Sequence, residues 1–223
     1  MSSHPGGRPD ERFPRRAVVS APAPGGEVPV SVVATVNLTR REGKIEFVNP
    51  LPAGRLAGVE PGSEVTLRAV GADGRPIREH PARVGLSSEL GPDDDREGLV
   101  DAVLPLPAET RAIELAIGGE VVDTVPVGGP PPSLRGVHRV TGGDGGMVRV
   151  GLVFDEAMDE GHTYAVQVSR DHGQTWRTVA VGLREPVAEI DRSQFRPGEE
   201  VMVRVVATNG LASATVSTDT FRV

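Results

Sequence analysis

From Val28 onward the chain alternates apolar and polar positions in short runs broken by turn-forming residues, and helical 3.6-residue periodicity never holds for two turns. VPVSVVATVN (28–37), KIEFV (44–48), SEVTLRAVGA (63–72), LVDAVLPL (99–106), RAIELAI (111–117) and EVVDTVPV (120–127) each read as a strand. Ala72-Asp73-Gly74 and Gly118-Gly119 are turn formers with hairpin character. ELGPDDDREG (89–98) is polar and reads as a long loop. At GGPPPS (128–133) the alternation stops. Consecutive prolines cannot donate ladder hydrogen bonds and favour a stiff extended chain, so a domain boundary is expected there.

The pattern resumes with GVHRVT (136–141), the Gly-rich turn GGDGG (142–146) and MVRVGLVF (147–154), which places Val148, Val150, Leu152 and Phe154 on one face. TYAVQVS (163–169), TWRTVAV (175–181), PVAEID (186–191), EEVMVRVVATN (199–209) and LASATVSTDTFRV (211–223) follow. Short strands at regular spacing predict a β-sandwich, and no crossover helices exist to cover a parallel sheet. The predicted fold is all-β: a disordered tail (1–27), a β-sandwich (28–127), a Gly/Pro linker (128–133) and a second antiparallel β-sandwich (134–223).

Composition agrees with strands. Valine dominates the apolar residues and suits a pleated, half-buried surface. Lys44 is the sole lysine among 24 basic residues, a bias expected of a GC-rich bacterial genome. A net charge of −7 argues against nucleic acid as a partner. The absence of cysteine excludes disulfides, thiolate metal sites and a cysteine nucleophile. No run approaches the length of a membrane helix, and residues 1–27 lack the continuous apolar stretch of a signal peptide.

Three stretches carry a resemblance to fibronectin type III and related bacterial immunoglobulin-like modules. They are Tyr164-Ala-Val-Gln-Val-Ser169 running into Asp171-His-Gly-Gln-Thr-Trp176, Phe195-Arg-Pro-Gly198 leading to Val201 through Gly210, and Phe221-Arg-Val223. The family's corner tyrosine is Val201 here, so the hydroxyl-to-backbone bond made at that corner is missing. Residues 28–127 are more weakly similar to β-domains that precede such modules. The resemblance implies a non-catalytic binding, spacer or scaffold module with a protein or polysaccharide partner, accessory to a secreted or surface protein. It implies no cofactor.

Ser169-Arg-Asp171-His-Gly173-Gln-Thr175-Trp176 also fits the Asp-box of sialidase-type propellers, in which the motif shapes a hairpin. One copy in a chain this short predicts a structural use: Asp171 accepts turn amides, Gly173 takes φ > 0, and Trp176 plugs the core, as does Tyr164. A flat aromatic platform for sugar is not expected. Asp155, Glu156, Asp159 and Glu160 form an acidic loop in which Asp155, Asp159 and Glu160 are candidate calcium ligands; Asp93-Asp94-Asp95 with Glu97 forms another. His4, His80, His138, His162 and His172 have no metal-ligand spacing and are expected near exposed loops, although His162 and His172 could approach across a hairpin. The alternative to a binding module is a small hydrolase whose site lies between the domains. It requires His138, His162, His172, Asp155 and Asp159 to converge.

Overall fold

The computed structural model describes residues 16–19, 26–51, 63–86, 95–130, 132–140, 146–155 and 161–223. Among them the only helical element is a 3-10 turn, η1 (Arg192–Gln194); the rest is strand and connection. A short strand, β1 (Arg16–Val19), precedes β2 (Glu27–Asn37), β3 (Glu42–Pro50), β4 (Val65–Val70) and β5 (Pro76–Ala82). Then come β6 (Val84–Leu86), β7 (Glu97–Pro107), β8 (Ala112–Ile117) and β9 (Glu120–Pro126). One sheet has the order β3-β2-β7-β6 and the other β5-β4-β8-β9. Their inner faces carry Val30, Val32, Leu67, Leu106, Ile113 and Leu115, all buried in one cluster.

A second sandwich follows. β10 (Leu134–Val140), β11 (Met147–Phe154) and β14 (Val187–Asp191) form a three-stranded sheet. Facing it, β12 (Thr163–Ser169), β13 (Arg177–Leu183), β15 (Glu200–Thr208) and β16 (Ser213–Ser217) order as β16-β15-β12-β13, and β17 (Phe221–Arg222) pairs with β15. The expected pair of tandem antiparallel β-sandwiches is what the chain forms. The second has the three-against-four strand order of an immunoglobulin-like module.

Three strands depart from the sequence expectation: the short β6, which falls in no expected segment, and β5 and β1. β5 contains Pro76 and Pro81, which hide it from any alternation rule. It survives because it lies at the edge of its sheet, where a missing N–H costs no ladder bond. Residues 16–19, expected within a disordered tail, instead add β1 antiparallel to β16, with Val18 opposite Ala214. The open edge of β16 supplies the ladder that the Pro/Gly-rich composition around β1 does not suggest.

The two sandwiches meet through the turn between β15 and β16. Thr208 Oγ1 donates to the Val48 carbonyl of β3 at 3.0 Å and accepts the Gly210 N–H at 2.9 Å. Asn209 is buried, and its side chain is fully used. Oδ1 accepts the Leu211 and Ala212 N–H groups at 3.0 and 2.6 Å, and Nδ2 donates to the Gly129 and Pro130 carbonyls at 3.1 and 2.9 Å. Its backbone carbonyl accepts the Gly128 N–H at 2.8 Å. Leu211 then inserts beside Val127 in the core of the first sandwich. Gly210 has φ 86°, and a Cβ there would lie 2.5 Å from Val127 Cγ1, so only glycine fits.

In the second core the largest fully buried side chain is Tyr164, and its hydroxyl has no hydrogen-bond partner. Burial, assisted by Glu185, pushes the phenol up to about 12. Tyr164 is the only tyrosine, so phenolate absorbance reports it alone. Because the folded value is raised, the stability linked to this group is fully present below the ordinary value of 10.0 and is lost as pH rises through about 12. A native spectrophotometric midpoint near 12 is expected, falling to the ordinary value on unfolding; a native midpoint at the ordinary value would contradict burial. Tyr164→Phe removes the orphan hydroxyl and is expected to leave stability unchanged or raise it by up to about 1 kcal/mol in denaturant titrations.

Candidate functional site

The turn from β12 to β13 is built by hydrogen bonds among close neighbours. Ser169, buried at the end of β12, donates from Oγ to Asp171 Oδ1 at 2.7 Å and accepts the Gly173 N–H at 2.8 Å. Thr175 donates its N–H to Asp171 Oδ1 at 2.8 Å and its hydroxyl to Oδ2 at 2.6 Å. His172 and Gly173 take φ values of 56° and 87°, which close the turn. The Thr175 bonds, then the Ser169 bond, hold the Asp171 carboxyl down to about 2.

Trp176 departs from its expected place. It is half-buried and absent from the core cluster that contains Tyr164, Val166 and Val168. Its Nε1 donates to the Gly173 carbonyl at 3.1 Å, and the Arg204 guanidinium lies 4.2 Å from the ring centroid. Arg204 Nε in turn donates to Gln167 Oε1 at 2.8 Å, and Gln167 Nε2 to Thr178 Oγ1 at 3.1 Å. Arg204 and Gln167 alternate with the buried Val203, Val205, Val166 and Val168, so this ladder runs along the outer face of the sheet. The indole thus belongs to a surface cation–π stack under the turn.

Beside that stack is a groove of about 200 Å³. Trp176, Phe195, Val168 and Val179 give it apolar walls, and Arg170, Thr175, Arg177 and Gln194 give it polar ones. Arg170 is anchored three ways: Nη2 donates to the Gln194 carbonyl at 2.6 Å, Nε lies 3.6 Å from Glu199, and the guanidinium sits 5.7 Å from the Phe195 ring centroid. A shallower groove of about 410 Å³ lies over the β2–β3 hairpin. Its polar groups partly engage one another, with Asn37 donating to Glu97 at 3.4 Å.

The other candidates among the described residues do not assemble. His162 and His172 lie at opposite ends of β12, a seven-residue strand spanning roughly 20 Å, so they cannot share a ligand. His162 is buried near the junction, with Nε2 3.3 Å from the Pro130 carbonyl, while His138 lies on the other sheet against Gly151. His80 is buried in β5, not near an exposed loop, and burial followed by Arg78 lowers its pKa. Asp155 pairs with Arg135 at 2.6 Å; Asp159 and Glu160 lie outside the described residues, as do Glu156, Asp93, Asp94 and His4. Asp95 pairs with Arg40. Among the described residues no three His, Asp or Glu side chains converge closely enough to hold a metal ion, and no helix is long and apolar enough to cross a membrane.

No protein-family model and no curated protein matches the chain. Among solved structures it is similar to the chicken CNTN1 FN1–FN3 domains, at 12% identity and a TM-score of 0.34, covering 94% of this chain and 64% of that one. It is also similar to a chain of a cytokine receptor complex, at 20% identity and a TM-score of 0.32, covering 86% of this chain and 94% of that one. A third similar chain is a beta-1,2-glucanase from Parabacteroides distasonis, at 14% identity and a TM-score of 0.32, covering 90% of this chain and 30% of that one.

The position of Trp176 sets its energetic weight. Trp176→Ala is expected to cost about 1–2 kcal/mol in equilibrium denaturation, the range of a partly covered cation–π stack and not of a core deletion. Because the folded Asp171 value is depressed, its support of the turn is present above the ordinary 3.8 and lost as pH falls through about 2. Trp176 emission followed through acid should therefore hold steady down to about pH 3 and change near 2, and Asp171→Asn should remove that step.

Proposed function

We propose that the chain is a non-catalytic two-sandwich module that holds a binding surface at a fixed distance and angle, with a protein or polysaccharide as its partner. One observation carries this reading: the junction in which Asn209 grips both linker carbonyls while Thr208 reaches Val48 and Leu211 enters the first core. Domains joined by a polar, accessible contact move relative to one another by default. Here the linker backbone is bonded at Gly128, Gly129 and Pro130 to one buried side chain and its own carbonyl, which opposes that motion. The hydrolase alternative loses its support with the separation of His162 from His172 along β12.

Small-angle X-ray scattering tests the reading. The native profile is expected to fit a single fixed arrangement of the sandwiches, and calorimetry to show one cooperative transition. Asn209→Ala leaves linker carbonyls without donors and is expected to cost about 2–4 kcal/mol. The same variant should broaden the distribution of intersandwich distances. A native profile that fits only an ensemble of orientations would overturn the proposal.

A further inference from the structure

The groove beside Trp176 has walls of unlike chemistry. Arg177 and Gln194 line it, and among the described residues neither side chain makes a hydrogen bond or ion pair. No carboxylate lines the groove, although the chain as a whole carries a net charge of −7. The nearby acids are already engaged. Glu199 accepts the Arg196 N–H at 2.8 Å through Oε2 and pairs with Arg170 through Oε1, and Asp171 has both oxygens committed to the turn. One arginine is therefore held rigid in the wall and the other is left free at the mouth.

We propose that this groove binds a carboxylated sugar, a uronic acid unit of a polysaccharide. The proposal rests on the reading of the chain as a binding module and names its ligand class. The indole and Val179, backed by the nearly buried Phe195 and Val168, offer apolar surface to the C–H face of a pyranose ring, and Gln194 and Thr175 offer neutral hydrogen-bonding groups to its hydroxyls. Arg177 supplies a planar fork that a carboxylate fits bidentately. A space of about 200 Å³ suits one sugar ring better than an extended peptide. A neutral sugar would leave the arginines unused; a simple carboxylate would leave the aromatic wall unused.

Trp176 is the only tryptophan, so its emission reports this groove without labelling. Titration of the full chain with oligogalacturonate is expected to give a saturable emission change, and neutral oligogalactose none. Arg177→Gln should weaken the apparent affinity about tenfold, as loss of a charge-assisted pair does. Gln194→Ala should weaken it severalfold. Arg75→Gln, on the distant β4–β5 turn, should leave it unchanged. Arg177 is exposed, so its variant is expected to melt with the parent. Absence of saturation, an equal response to the neutral sugar, or equal weakening by Arg75→Gln overturns the proposal. A response to polyglutamate as strong as that to oligogalacturonate overturns it in favour of a protein partner. Scattering from Arg177→Gln should keep the parental profile, so failure of sugar binding is read separately from failure of the rigid arrangement.

Discussion

The hydrogen bonds of one buried amide govern how the two halves of this molecule relate. A carboxamide taken out of water must have its donors and its acceptor satisfied, or burial costs more than packing returns. Asn209 meets that requirement with partners from both sides of the junction: the turn it belongs to and the linker carbonyls. Its satisfaction ties the β15–β16 turn to the segment that joins the two sandwiches. The neighbouring residues add constraints of other kinds, a hydroxyl bond from Thr208 to Val48 and the apolar anchor Leu211. Polar, steric and hydrophobic terms agree on one geometry, which is the condition for a specific and not merely stable contact.

Within the second sandwich, the outer sheet and the β12–β13 turn present a defined surface. The turn is organised by a carboxylate that remains ionised to low pH, so its shape is insensitive to ordinary acidity. The indole it carries is covered on the sheet side by Arg204, whose own head group is held by Gln167. Such a chain of contacts orients an aromatic ring without burying it. Preorganisation of this kind lowers the entropy lost when a ligand is bound.

Much of the fold was legible from alternation, because an antiparallel sandwich repeats inside and outside every second residue. The β5 strand was not, since Pro76 and Pro81 carry a signal that means "not a central strand" and says nothing against an edge. The turn chemistry of Ser169, Asp171, Gly173 and Thr175 could be read because its partners lie within six residues. The environment of Trp176 could not, because it depends on which β12 residue lies opposite Arg204, a matter of register between β12 and β15. The separation of His162 and His172 was implicit in the length of the strand between them. The grip of Asn209 on Gly129 and Pro130 spans about eighty residues and has no local signature.

The pairing of β1 with β16 has a consequence for how the molecule is made. Val18 is synthesised about two hundred positions before its partner Ala214. At roughly 5–20 residues per second the ribosome takes on the order of 10–40 s to deliver the second strand after the first. Roughly halfway through that interval the first sandwich has every residue of its own sheets, while Arg16–Val19 still has no ladder to join. Among the described strands, this outermost one thus waits longest for its partner, until β16 has been made. Its docking records that β16 has emerged and joined the sheet.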